Sequence, residues 1–359
     1  MADPENAEQS ISAAEIALYD RQIRLWGVSA QKKIGAAKIL LISVKALANE
    51  VAKNLVLAGI GSLTIIDHEI VKEDDLSAQF FVSEEHVGQN RAQAAGPQIH
   101  KMNPRVDLQI DTDDVKTKAP EFFAQFDVTI ATDLDFMTYN SINTACRVAQ
   151  KPFYAAGLHG FYGYVFADLI THDFVIERAK SNVPPQQQET PTRSVVDITT
   201  KKENDKTIEL ITKRETYSPL LLANTSPLPE EFTRNSRRRK QTELAEFTKL
   251  SREAHHFLKL DPETLDAEFL RKFLQNLGGE LSPVAAFMGG ALAQDVINVL
   301  SAREQPLQNL LLFDGDRSIG PIYSLHPFFP PEMEALAAVP PVANPIPLDA
   351  DVVPPTTIA

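Results

Sequence analysis

Between Lys38 and Asp67 the spacing of apolar positions changes twice. ILLI (39–42) is a continuous apolar run, ALANEVAKNLVLAG spaces its apolar residues at three and four, and LTII (63–66) is continuous again. The pattern predicts a strand over 38–43, a helix over about 47–57, a break at Gly59 and Gly61, and a strand over 62–67. Runs without alternation suit strands buried on both faces, so the unit reads as a βαβ crossover in a doubly wound, mostly parallel sheet. DLQI (107–110), VTIATD (128–133), FYAAG and GYVFADLI continue the strand series, and NLLLFD and GPIYSL return to it after residue 282. Upstream, Ser12 followed by Glu15 has the spacing of a capping box and opens a helix through AEIALYDRQIRLWG. Ile16, Tyr19, Ile23 and Trp26 give that helix one apolar face, which needs a partner surface, while Asp20, Arg21 and Arg24 lie partly outside it. SPVAAFMGGALAQDVINVLS (282–301) reads as a helix whose Gly289-Gly290 pair costs about 1 kcal/mol per glycine, so close packing against the sheet is expected to compensate.

Texture divides the chain into segments. Residues 1–11 are polar and read as disordered; 12–178 carry the first part of the α/β domain; 179–281 read as an insertion; 282–326 complete the domain; 327–359 read as a Pro-rich disordered tail. Ten of the 24 prolines fall in 321–359, which is why the tail is assigned no core. The insertion opens with KSNVPPQQQETPTRSVVD, expected as a disordered loop, followed by a strand-like TIELITK (207–213). After the basic run Arg237 to Lys240 a polar helical region spans about 243–277, so the inserted domain is expected to be small and mainly helical. That basic run fits a nuclear-import signal and fits a solvated loop equally well.

The net charge of −13 disfavours nucleic-acid binding by the whole chain and suits a basic partner. A single cysteine, Cys146, excludes an internal disulfide framework and a four-cysteine zinc site. The polar N-terminus and the absence of an apolar window of about 18 residues lead to the expectation of a soluble, intracellular protein without a membrane span. Cys146 lies among apolar residues at helical spacing and reads as a buried structural thiol. His68, His86, His255 and His256 show no metal-ligand spacing, and no metal is expected.

In a nucleotide-binding crossover, GxGxxG lets backbone N–H groups approach phosphate at a helix N-terminus. Here that position reads Ser43-Val44-Lys45-Ala46-Leu47-Ala48, with no glycine. Each added Cβ disfavours positive φ or stands in the path of a phosphate, so the loop is poorly suited to nucleotide. Asp67, at the end of the second strand, is either a ribose contact or a strand-terminal cap. An acid in that place also suggests a nicotinamide-dependent oxidoreductase, against which the missing glycines argue.

YDRQIRLWG (19–27), AKNLVLAGIGSLTIIDHE, AQFF, VGQNRAQAA, MNPRV and MGGALAQDVI stand in one order along the chain. That ordered set resembles the adenylation domains of ubiquitin-like-protein activating enzymes, over about residues 12–178 and 282–325. DHE with AQF and NRA is most similar to the smaller, cysteine-less chains of the SUMO-type branch. The regulatory chains of the Nedd-type branch share YDRQIRLWG but are considerably longer. The resemblance implies a Rossmann-like sheet of the ThiF/MoeB type. It also implies a heterodimer with a larger subunit holding Mg-ATP, zinc and the thioester cysteine, a SUMO-type modifier as substrate, and a nuclear setting with some cytoplasmic share. In adenylating members an Asp, an Asn, an Arg and a Lys handle the nucleotide. Here Asp67 matches the first, while Asp75 and Ala78 replace the Asn and Arg and Arg91 replaces the Lys. The resemblance therefore implies a degenerate site that binds no cofactor tightly, and a trans-acting arginine in YDRQIRLWG for the partner's ATP site. Arg21 is the first choice and Arg24 the alternative. A subunit whose role is purely structural, with Arg21 silent, is the remaining reading.

Overall fold

The computed structural model describes residues 12–181, 185–203, 206–223, 243–257, 266–326 and 346–347. The Arg237 to Lys240 run, residues 1–11 and nearly all of the tail lie outside them.

The described residues divide into two compact units, the first comprising residues up to Ile170, Tyr217–Ser301 and the stretch from Pro306. Its sheet contains β1 (Lys38–Ile42), β2 (Ser62–Ile66), β3 (Asp107–Asp111), β4 (Val128–Thr132), β5 (Phe153–His159) and β6 (Tyr162–Asp168). After the strands of the second unit, β7 (Thr171–Ala179), β8 (Arg193–Glu203) and β9 (Lys206–Thr216), the first sheet receives β10 (Leu310–Asp314) and β11 (Ile322–Tyr323). The order is β11-β10-β6-β5-β4-β1-β2-β3. Strands β1 to β5 pair in parallel, whereas β6, β10 and β11 join antiparallel.

The continuous apolar run of β1 is explained by period-2 sorting between two cores. Ile39 and Leu41 enter the core on one face, with Val51, Leu55, Met288 and Val296. Leu40 and Ile42 enter the other, with Ile142, Cys146 and Phe153. All four are essentially inaccessible, each contributing about 1.5–3 kcal/mol of apolar burial, so neither face tolerates a polar residue.

Helix Ser282–Ser301 corrects two expectations. By length and composition it is apolar enough to cross a membrane, but Val284, Ala285, Met288, Leu292, Ala293 and Val296 are buried in the protein core. Gly289 faces a helix, not the sheet: a Cβ there would stand 2.4 Å from Glu50 Cβ and 3.3 Å from Leu47 O of helix Ala46–Ala58. Gly290 faces open space. The expected single helix through AEIALYDRQIRLWG is two short ones, Ala13–Leu18 and Asp20–Trp26, broken at Tyr19, and a third, Val28–Ala36, follows Gly27 (φ +87°). The Ser12/Glu15 capping box opens the first.

The second unit comprises 171–216, 302–305 and Ile346–Pro347. It is an antiparallel sheet, with β12 (Ile346–Pro347) pairing with β8. Among the described residues, 179–281 therefore holds two long strands, β8 and β9, as well as helices, and is not a loop leading into a mainly helical domain. The stretch Arg193–Glu203, whose start was expected to be loop, is a strand, because Val195, Ile198, Thr199 and Thr200 are β-branched and the Pro/Gln-rich bias ends before them. A bulge between Val195 and Asp197 shifts its register. Helices Glu243–Phe257 and Phe269–Asn276, expected in the same insertion, cluster with the first unit.

Candidate functional site

From β1 the chain builds outward through β2 to β3, then crosses back to place β4 and β5 on the other side. The switch point lies between β1 and β4, and ligands of such sheets sit outside the strands' carboxyl ends there. Thr132 at the end of β4 donates to Ile42 O (3.1 Å) and Ser43 O (2.8 Å), tying the two strand ends together. Ser43 adopts φ +68° despite its Cβ, so the tight turn survives without the glycine that ordinarily permits it. Helix Ala46–Ala58 follows, and its N-cap, Lys45, provides no side-chain cap.

Polar side chains of the protein fill the space beyond. Asp67 Oδ2 accepts from Val44 N (2.8 Å) and Arg91 Nη1 (2.9 Å), and Oδ1 accepts from Glu69 N (2.9 Å). Arg91 is fully buried, and its Nε lies 3.5 Å from Asp75 Oδ2. Asp75 also accepts from Lys72 N and from Gln79 Nε2, each at 2.8 Å. Asp67 therefore closes the β1 turn and neutralises Arg91. Both its oxygens are engaged inside the protein, the arrangement of a strand-terminal cap.

Next to this cluster the N–H of Ala46, first of its helix, donates to Glu280 Oε1 at 3.2 Å. Burial pushes the Glu280 carboxyl above its usual range, against the pull of the Lys45 cation, the Ala46 N–H and a hydrogen bond from Gln79. Asp133, just past β4, accepts from Leu158 N (3.2 Å), while its Oδ2 is buried without a partner. Burial and repulsion from Glu280 raise its pKa to about 6, partly offset by Lys45. A helix N-terminus that already holds a carboxylate, itself repelled by Asp133 and Asp75, does not fit a triphosphate. Sequence reasoning missed Glu280 and Asp133. Glu280 stands 234 positions from its partner in a Gly-rich connection, and no spacing rule spans that distance. Gln79 lay in the AQFF string, but no role was assigned to it.

Arg21 lies in helix Asp20–Trp26, whose inner residues are anchored to the end of helix Ala46–Ala58. Tyr19 is buried, with its hydroxyl accepting from Asn103 Nδ2 at 2.8 Å. Gln22 Nε2 donates to Leu57 O (3.2 Å), Trp26 Nε1 to Gln31 Oε1 (3.0 Å) and Gln31 Nε2 to Ala58 O (2.9 Å). Tyr19 also covers Gly59, where φ is +81° and a Cβ would come within 2.4 Å of the ring. Outward, Arg24 pairs with Asp20 at 2.9 Å, and Glu15 is held by Ser12. Arg21 is exposed, and among the described residues it forms no hydrogen bond or ion pair. The two acids available to pair with Arg21 are taken by other residues, and so is the alternative carrier Arg24. Leu18 (57% exposed), Leu25 (76%) and Leu57 (47%) leave an apolar surface on the same elements.

The structure thus places Arg21 and Asp67 apart in role: one is a surface cation unpaired among the described residues, the other a fully engaged internal carboxylate. Cys146 is buried, and burial pushes its thiol up to about 12, far from a thiolate nucleophile. His68 lies 3.7 Å from Glu69 and 3.8 Å from Asp114 at the surface. Among the described residues there is no group of three potential metal ligands.

The ThiF family model matches residues 19–327. The chain is 38% identical to DNA damage tolerance protein RHC31 of Saccharomyces cerevisiae, over 86% of this chain and 96% of that one. It is 35% identical to DNA damage tolerance protein rad31 of Schizosaccharomyces pombe (88% and 99%). With human SUMO-activating enzyme subunit 1 the identity is 32%, over 91% of this chain and all of the other.

Proposed function

The chain belongs to the ThiF family, and from that premise we propose that it is the non-cysteine subunit of a heterodimeric SUMO-activating enzyme. Its similarity over nearly full length to proteins named SUMO-activating enzyme subunit 1 supports this reading over the longer Nedd-type chains and over an oxidoreductase. The partner is a larger, related subunit that carries the thioester cysteine, the zinc and the working Mg-ATP site. In the dimer the modifier's C-terminal glycine carboxylate attacks the α-phosphorus of ATP and pyrophosphate leaves. The partner's thiolate then attacks the acyl carbon, and AMP leaves as the thioester forms.

This subunit contributes position and charge. The carrying observation is the contrast within one short helix and its N-cap: Tyr19, Gln22 and Trp26 are anchored, while Arg21 is exposed beside exposed leucines and unpaired among the described residues. An anchored arginine offers permanently charged, planar donors to phosphate oxygens, and supplying it in trans makes activity conditional on pairing. The apolar surface at Leu18, Leu25 and Leu57 suits a protein partner. The basic run Arg237 to Lys240 supports a nuclear location.

Reconstituting the dimer with Arg21→Ala tests the proposal through ATP–pyrophosphate exchange in the presence of the modifier. The expected loss reaches about 10³-fold, the lower end for an arginine supplied in trans. Arg24→Ala should stay near wild type. Exchange unaffected by Arg21→Ala would leave the subunit a scaffold.

A further inference from the structure

Within the second unit the sheet runs β12-β8-β9-β7, so without the two-residue β12 its edge is β8. The opposite edge is met at Val175 of β7, whose N–H donates to Ala302 O at 3.1 Å. The first part of β8 is also covered: Val195 N donates to Gln187 O (2.7 Å), Glu189 N to Arg193 O (2.9 Å), and Gln188 pairs with Ser194. From Val196, which is 45% exposed, to Lys202 the cover among the described residues is Ile346 and Pro347, in parallel register with Thr199 and Thr200.

An open strand edge is a template for any extended chain, so its occupant matters. Pro347 has no N–H, and main-chain groups of successive strand residues point to opposite sides. The register therefore turns the N–H and C=O of Ile346 toward β8, where they reach Ile198 O and Thr200 N. The nitrogen of Pro347 is left on the outer side, with no donor for a further strand. Asn344 and Ile346 each precede a proline and are biased to extended backbone, which lowers the cost of ordering the segment. Charge agrees with this pairing. Residues 327–359 carry Glu332, Glu334, Asp349 and Asp351 and no Lys or Arg, while β8 runs on from Thr200 into the exposed Lys201 and Lys202. We infer that the Val196–Lys202 edge of β8 is a strand-acceptor site for an acidic, proline-bounded extended peptide, and that residues 344–351 of the same chain are its occupant. Counting on from Ile346 opposite Thr199 sets Asp349 opposite Lys202. Main-chain bonds supply the affinity, and the prolines and acids supply the selection.

The test is hydrogen exchange of the full chain, read at the Thr200 amide with the Ile211 amide of β9 as internal control. Thr200 should be protected in the wild type and in Ile346→Val. In Ile346→Pro, which deletes the donor facing β8, it should exchange about tenfold faster or more, with Ile211 unchanged. Asp349→Lys combined with Asp351→Lys should give a smaller increase. A synthetic peptide of residues 342–353, added to Ile346→Pro at about 1 mM, the scale of a tethered segment's local concentration, should restore protection saturably. The same peptide carrying proline at position 346 should not. Thr200 exchanging as fast in the wild type as in Ile346→Pro overturns the inference, and so does a peptide that restores nothing. Wild-type protection that fades on about hundredfold dilution would assign the edge to a second copy's segment and overturn occupancy by the same chain. Should Ile346→Pro also accelerate Ile211, the Asp349/Asp351 variant decides by the same readings. All of these readings lie in the second unit, so the result is independent of the Arg21 assay.

Discussion

Replacing Arg91 with alanine removes the cation between two buried carboxylates. The side chains of Arg91, Asp67 and Asp75 are 2%, 3% and 8% exposed, with contacts of 2.9 Å and 3.5 Å. Truncating one member of such a group leaves uncompensated charge in the interior, at a cost of about 3–5 kcal/mol. With a urea slope of about 3 kcal/mol/M, the midpoint should fall by about 1–1.7 M. Trp26, the single tryptophan, reports the transition of the first unit by fluorescence, because its indole is held on Gln31. Arg91→Lys should lie between the two, since an ammonium cannot present Nη1 and Nε to two carboxylates at once. Asp67→Asn combined with Arg91→Met should recover much of the loss, because both charges leave together. A midpoint for Arg91→Ala within about 0.3 M of wild type, about 1 kcal/mol on that slope, would refute the assignment of this pair as the fastening of the β1 and β2 ends.

Gly59→Ala puts a Cβ at φ +81° into the Tyr19 ring. Strain of about 1–2 kcal/mol and loss of the Asn103 hydrogen bond should shift Trp26 emission to the red and weaken pairing with the larger subunit, measured by titration calorimetry. For Asp133 the folded pKa of about 6 exceeds the ordinary 3.8, so its contribution to stability is present below about pH 4 and lost as pH rises through 6. Asp133→Asn should accordingly stabilise the protein above pH 6, by at most about 3 kcal/mol, and flatten that part of the profile; a variant that is less stable at pH 7 contradicts the buried-charge reading. Cys146, with its thiol raised to about 12, should resist iodoacetamide at pH 8 until denaturant is added, as intact-mass measurement would show.

The strands and helices around the switch point were legible because each carries a local signal. β1 and β2 are continuous apolar runs, helix Ala46–Ala58 has helical periodicity ended by Gly59, and Ser12 and Glu15 announce a helix start. β8 was hidden because a Pro/Gln-rich stretch runs directly into it, and composition averaged over a window conceals a short alternation. The break at Tyr19 was invisible because its cause is tertiary: the ring turns inward over Gly59, for which helical spacing gives no cue. At the site, the absence of glycines was readable, but the side chains that fill it were not. Arg91 and Glu280 reach their partners across 24 and 234 positions, and only the folded chain brings them together. Arg21 could be chosen from its motif, whereas its freedom depends on Asp20 turning to Arg24.

The buried Arg91 and its two carboxylates also bear on how the protein can change by single substitutions. Exchanging Arg91 for another residue or releasing Asp67 would first pass through a chain with an orphaned interior charge, several kcal/mol less stable in a molecule whose whole margin is about 5–15 kcal/mol. The arrangement therefore works as a ratchet: the division of labour between two chains that we propose, once adopted, is kept by the difficulty of every first step back, even where selection on the chemistry is weak.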